Sequence, residues 1–94
     1  MKVNKYVAKF IVDAIQYDGN NMHEVLNFIK GKAYIISECG FPEDKHYVFD
    51  YQNKDNIKHK MELTVGSYVV ENAYGFIIVI PKTTFETTHK PYNE

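Results

Sequence analysis

The sequence has no arginine, no tryptophan and a single cysteine, Cys39. Each shortage excludes something. One cysteine builds neither an internal disulfide framework nor a multi-cysteine zinc site. Without arginine, the bidentate fork that reads phosphates and guanine edges is missing. With 11 lysines against 12 acidic residues the net charge is −1, so no cation excess exists to neutralise a phosphate backbone. Nucleic acid is therefore not an expected partner. No run of about 18 apolar residues occurs, so no membrane span is expected. Residues 1–9 carry lysines but no apolar run, and no signal peptide is expected there. At 94 residues the chain is expected to form a single domain with one small core.

What is present in excess is aromatic: eight Tyr and six Phe. Lys, Asn, Ile, Tyr and Phe together supply 42 of the 94 residues, which points to an AT-rich genome.

Periodicity sets the expected elements. Residues 6–17 are rich in β-branched and aromatic types. Val12 and Ala14 alternate with Asp13, Ile15 and Tyr17, which predicts one long strand. Asp18-Gly19-Asn20-Asn21 stops it. Residues 22–30 form the one helix candidate. Asn21 and Glu24 have capping-box spacing, Met22, Val25, Leu26 and Ile29 make an apolar stripe, and Gly31 suits a left-handed stop. From 33 to 89 every periodic segment reads as a strand with hairpin-length connections, which predicts antiparallel pairing. Residues 76–80 are apolar throughout and read as a central strand buried on both faces, ended by Pro81. Residues 82–85 read as a single 3₁₀ turn followed by a short strand to His89, and the tail 90–94 is expected to fray. The expected class is α+β: a small bent antiparallel β-sheet, or a partly open SH3-like barrel, with one packed α-helix. The order of turns and strands from Gly66 to His89 is similar to the second half of an SH3-like barrel, a likeness of fold alone.

Two stretches resemble a group of small uncharacterised proteins encoded by phages and prophages of low-GC Gram-positive bacteria. The first runs from Lys5-Tyr6 through Lys9, Ala14, Gln16 and Tyr17 to Phe28-Ile29, where relatives read K-Y-x-x-K-P, A-x-Q-W and a helix ending in F-I. The second is Val65-Gly66-Ser67-Tyr68-Val69-Val70, then Gly75 and Phe85-Glu86-Thr87-Thr88, where relatives read P-G-D-Y-I-I, G-E-F and F-x-x-T-Y. Phe10, Tyr17, Ser67, Phe76 and His89 depart from the pattern at packing or turn positions, and residues 31–60 have no counterpart. The resemblance implies a phage accessory protein acting in the host cell cytoplasm, and no enzymatic activity.

The residues that carry chemistry are scattered. His23, His46, His59 and His89 lie on separate elements without metal-ligand spacing. Cys39 follows an acidic residue, which opposes a low thiol pKa. Asp13 sits in an apolar strand, where it pairs with a neighbouring lysine or lies on a wet edge more readily than it acts as an acid or base. Gly66 and Gly75 sit at turns and start no phosphate-binding helix. Lys54, Lys58 and Lys60 read as guards of a strand edge. No metal and no cofactor is expected.

The aromatics remain. Phe28, Phe49, Phe76 and Phe85 suffice for a core, and Tyr34 and Tyr68 join the tyrosines on or beside strands. Tyrosine offers apolar area and a hydroxyl at low entropy cost, which suits interfaces, although cross-strand aromatic pairing would use the same residues. Phe41, Glu43, Asp44, Tyr47, Asp50, Tyr51 and Tyr74 form the expected partner-binding surface, aromatic and acidic, suited to a basic protein. The expected function is that of a non-enzymatic phage protein that inhibits or redirects a host bacterial protein, such as a CRISPR-type defence factor. The alternative is a sponge for a nucleotide signal. A homodimer is a further expectation, through self-pairing of the strand at 6–17.

Overall fold

Strand propensity carries through to the tertiary level. The protein's structure, a computed structural model, describes residues 4–7, 11–38, 45–51 and 61–91. In chain order the elements are β1 (Asn4–Val7), β2 (Ile11–Gln16), α1 (Met22–Ile29), β3 (Ala33–Glu38), β4 (Lys45–Asp50), β5 (Met61–Leu63), β6 (Tyr68–Glu71), β7 (Ile77–Ile80), α2 (Lys82–Thr88) and β8 (Lys90–Pro91). They build a five-stranded sheet in the order β7-β6-β2-β1-β8 and a three-stranded sheet in the order β3-β4-β5. Every pairing is antiparallel. The fold is α+β with small open sheets, which do not close into a barrel.

Several expectations change. The long strand at 6–17 is two strands. Val7 faces Ile11 across a reversal, and β1 and β2 form a hairpin. Residues 8–10 contain no Gly, Pro, Asn or Asp, so the sequence carries no turn signal that would break the alternation. The segment at 76–80 is no central strand: β7 lies at a sheet edge, and Ile78 is 39% exposed. The central positions go to β2 and β6, whose Ala14, Ile15, Val69 and Val70 are all buried. The tail does not begin to fray at residue 90, because Lys90 and Pro91 pair with Val7 and Tyr6. Residues 92–94 and the first half of the strand expected at 57–64 lie outside the described residues.

The five-stranded sheet is covered on both faces. On one, Ile15, Tyr17, Val69 and Ile77 pack with Val25, Phe28 and Ile29 of α1 and with Ala33, Val48 and Leu63 of the small sheet. On the other, Val12, Ala14, Tyr68 and Val70 pack against Phe85 of α2. Helix α1 buries Val25, Phe28 and Ile29, while Leu26 is 47% exposed, so the apolar stripe is rotated toward Phe28. Asn21 does not cap α1 with its side chain. Its amide faces backward instead, accepting from the Asp18 N–H and donating to the Gln16 carbonyl, which closes the loop between β2 and α1. Gly31 follows the helix at φ +79°, in the left-handed conformation expected of it.

Helix α2 replaces the expected 3₁₀ turn and strand. Its sequence, KTTFETT, is rich in β-branched residues and has poor helix propensity. Burial overrides this. Phe85 is 1% exposed and stacks on Tyr68 at 4.0 Å, while the Tyr68 hydroxyl donates to Glu86. His89 stacks on the same Phe85 ring at 4.3 Å. Thr87 and Thr88 satisfy their hydroxyls on the carbonyls of Thr83 and Thr84.

Candidate functional surface

The small sheet has two unlike faces, and the β3–β4 register assigns every residue to one of them. Ala33 opposes Asp50 and Ile35 opposes Val48 on the core side; Tyr34 opposes Phe49 and Ile36 opposes Tyr47 on the outer side. The outer side is aromatic. Tyr34 stacks on Phe49 with ring centroids 5.4 Å apart, and Tyr51, at the end of β4, lies over Tyr34 at 4.9 Å. Tyr51 is 45% exposed and Ile36 48% exposed, so a run of contacting rings ends in solvent next to an exposed aliphatic side chain. Stacked rings hold one another in place, so this surface presents apolar area with little rotamer freedom left to lose.

The residues expected at a partner surface divide. Tyr51 belongs to this patch. Tyr74 is 77% exposed at the tip of the β6–β7 hairpin, where Asn72 Oδ1 accepts the N–H groups of Tyr74 and Phe76. Two others are corrected. Asp50 is 3% exposed and its carboxylate accepts the N–H of Ile77, so it is a structural group inside the protein. Tyr47 shares the outer side with Tyr34 and Ile36 but is buried there, so the open part of that side is at Tyr51 and Ile36. Phe41, Glu43 and Asp44 lie outside the described residues, as do Cys39, His59, Lys54, Lys58 and Lys60. Two members of the patch, Tyr34 and Ile36, and the half-buried Phe49, were not among the expected contacts. The signal for them was the shared period of two in β3 and β4, which needs the register before the two strands can be superposed.

The polar surroundings are paired. Lys32 Nζ bridges Glu71 Oε2 at 2.8 Å and sits 5.9 Å from the Phe28 ring centroid. Glu71 stands opposite Asp13 in register, so the lysine also offsets a like-charge neighbour pair. His46 Nδ1 lies 3.0 Å from Ser37 Oγ, and its ring meets Tyr17 edge-on. Among the described residues no three His, Cys, Asp or Glu side chains converge as a metal site would need, and no helix is long and apolar enough to cross a membrane. Compared with family models, with curated proteins and with solved structures, the chain matches none.

Proposed function

We propose that the protein is a non-enzymatic binding domain that docks another protein on the outer aromatic face of the small sheet. One observation carries this reading: the Tyr34–Phe49–Tyr51 stack opens to solvent at Tyr51 beside exposed Ile36. Rigid aromatic area with hydroxyls at its rim is the composition of interface hot spots. The patch offers contact area and hydrogen-bonding hydroxyls. The phage-protein resemblance at both ends of the chain supplies the setting: an accessory protein in the host cytoplasm whose target is a host protein, inhibited or redirected, such as a defence factor.

The test is capture from a low-GC Gram-positive host lysate with the tagged chain and with its Tyr51→Ala variant. The expected result is a stoichiometric partner retained by the wild type and lost by a variant that remains folded. Equal capture by both removes the aromatic face from the interface. No partner, together with a nucleotide that raises the melting temperature, transfers the reading to a small-molecule sponge. Ligand at about 100 times its dissociation constant adds ~2.7 kcal/mol of stability.

A further inference from the structure

The two sheets have four edges, and three of them are protected. β8 is two residues long and consists of Lys90 and Pro91, both residue types that block strand addition. β5, described over Met61–Leu63, presents the exposed charge of Glu62. On β7, the hairpin pairing of Asn72 with Phe76 turns the N–H of Ile77 away from β6, and Asp50 accepts it. β3 is different. It is six residues long, AYIISE, with no proline and no lysine, and it lies at the end of its sheet. The Tyr51 N–H donates to the Lys32 carbonyl, which fixes the phase of the ladder. Tyr34 and Ile36 exchange their backbone bonds with β4, and Ala33, Ile35 and Ser37 turn theirs outward. Among the described residues none of those three has a backbone partner on that side.

We propose that β3 pairs antiparallel with β3 of a second copy of this chain, about a two-fold axis through Ile35. That register is selected by the strand itself. It sets Ala33 against Ser37 of the second copy, Ile35 against Ile35, and Ser37 against Ala33, so all three outward residues are matched. Between them, Tyr34 falls opposite Ile36 at both non-hydrogen-bonded positions, where side chains come closest. Both are on the outer face and Ile36 is 48% exposed. An aromatic against a β-branched residue is a favourable cross-strand pair. A shift of two residues in either direction leaves one outward residue of each strand unmatched. The strand expected to self-pair, at 6–17, has no edge to offer, because β1 and β2 lie inside the five-stranded sheet.

The product is one continuous six-stranded sheet that joins the two aromatic faces side by side. The pairing does not depend on the proposed binding role of Tyr51, and its test leaves Tyr51 unchanged. Strand addition alone buries less surface than a permanent dimer does, so a reversible association of micromolar order is expected.

Sedimentation equilibrium of the full chain, from about ten to several hundred micromolar, reads the mass, which is 11.0 kDa for one copy. The expected result is a concentration-dependent shift toward twice that value. Amide exchange should slow at Ala33, Ile35 and Ser37 as the concentration rises. Ser37→Pro removes an outward donor without touching the β4 ladder, and Ile36→Lys places a charge against Tyr34. Each should raise the dissociation constant about ten-fold or more while far-UV circular dichroism stays that of the wild type. A chain that remains monomeric throughout the range overturns the proposal. So does a dimer that either folded variant leaves intact. If one variant fails to fold, the other and the exchange pattern decide.

Discussion

The carboxylate of Asp50, the last residue of β4, accepts the backbone N–H of Ile77, the first residue of β7, at 3.0 Å. The bond joins the two sheets where the core closes between them. It also occupies a donor that would otherwise face outward on an edge strand. Asp50→Ala leaves that N–H without its acceptor and should cost about 1–3 kcal/mol, read as a lower midpoint in urea unfolding. Asp50→Asn keeps an oxygen in place and should lose less. Equal losses from the two variants would show that the charge, and not the bond to Ile77, matters at this position.

Helix α2 depends on a single ring. Phe85→Ala empties the contact with Tyr68 and His89 and should destabilise by about 3–5 kcal/mol. Tyr68→Phe keeps the stack and removes only the hydroxyl bond to Glu86, for about 1 kcal/mol. Thermal melts followed by circular dichroism separate the two. Comparable losses would mean that the hydroxyl, rather than the stacking, anchors the helix.

At the end of α1, Gly31 adopts φ +79° with nothing within 4 Å of where a Cβ would be. Gly31→Ala therefore meets backbone strain and no clash, and should cost about 1–2 kcal/mol. Gly19 has φ +94° and a Cβ there would come to 3.3 Å from Val65 Cγ2. Gly19→Ala should cost at least as much. Denaturant midpoints rank the pair, and a neutral Gly31→Ala would show that the turn relaxes out of the left-handed region.

The aromatic face should tolerate change better than the core does. Tyr51→Ala removes a 45% exposed ring that contacts Tyr34, and an aromatic pair of this kind contributes about 0.5–1.5 kcal/mol beyond its area. The domain should stay folded, with a modestly lower melting temperature. Complete unfolding would assign the stack to stability instead of recognition.

Much of the local structure was legible. The segments that form β3 and β4 read as strands joined by hairpin-length connections, and so as antiparallel, before any pairing was known. The α1 segment, its glycine stop and the turn glycines at 66 and 75 followed from local chemistry. The partner surface was legible only in part. Tyr51 and Tyr74 kept exposed surface, but Asp50 looked like any strand-end carboxylate, because the N–H it accepts lies 27 residues away.

What the sequence determined by itself is helix α1, most of the strand segments between residues 33 and 80, and the antiparallel α+β class. Side-chain period and turn residues act over a few positions and need no partner. Tertiary structure alone decided the strand order. It placed β2 and β6 at the centre and moved the all-apolar β7 to an edge, where Asp50 guards it. It drew a threonine-rich segment into α2 by burying Phe85, and among the described residues it left β3 as the edge without a guard. Each of these rests on hydrogen bonds or ring contacts between residues distant along the chain, and such contacts leave no trace in local periodicity.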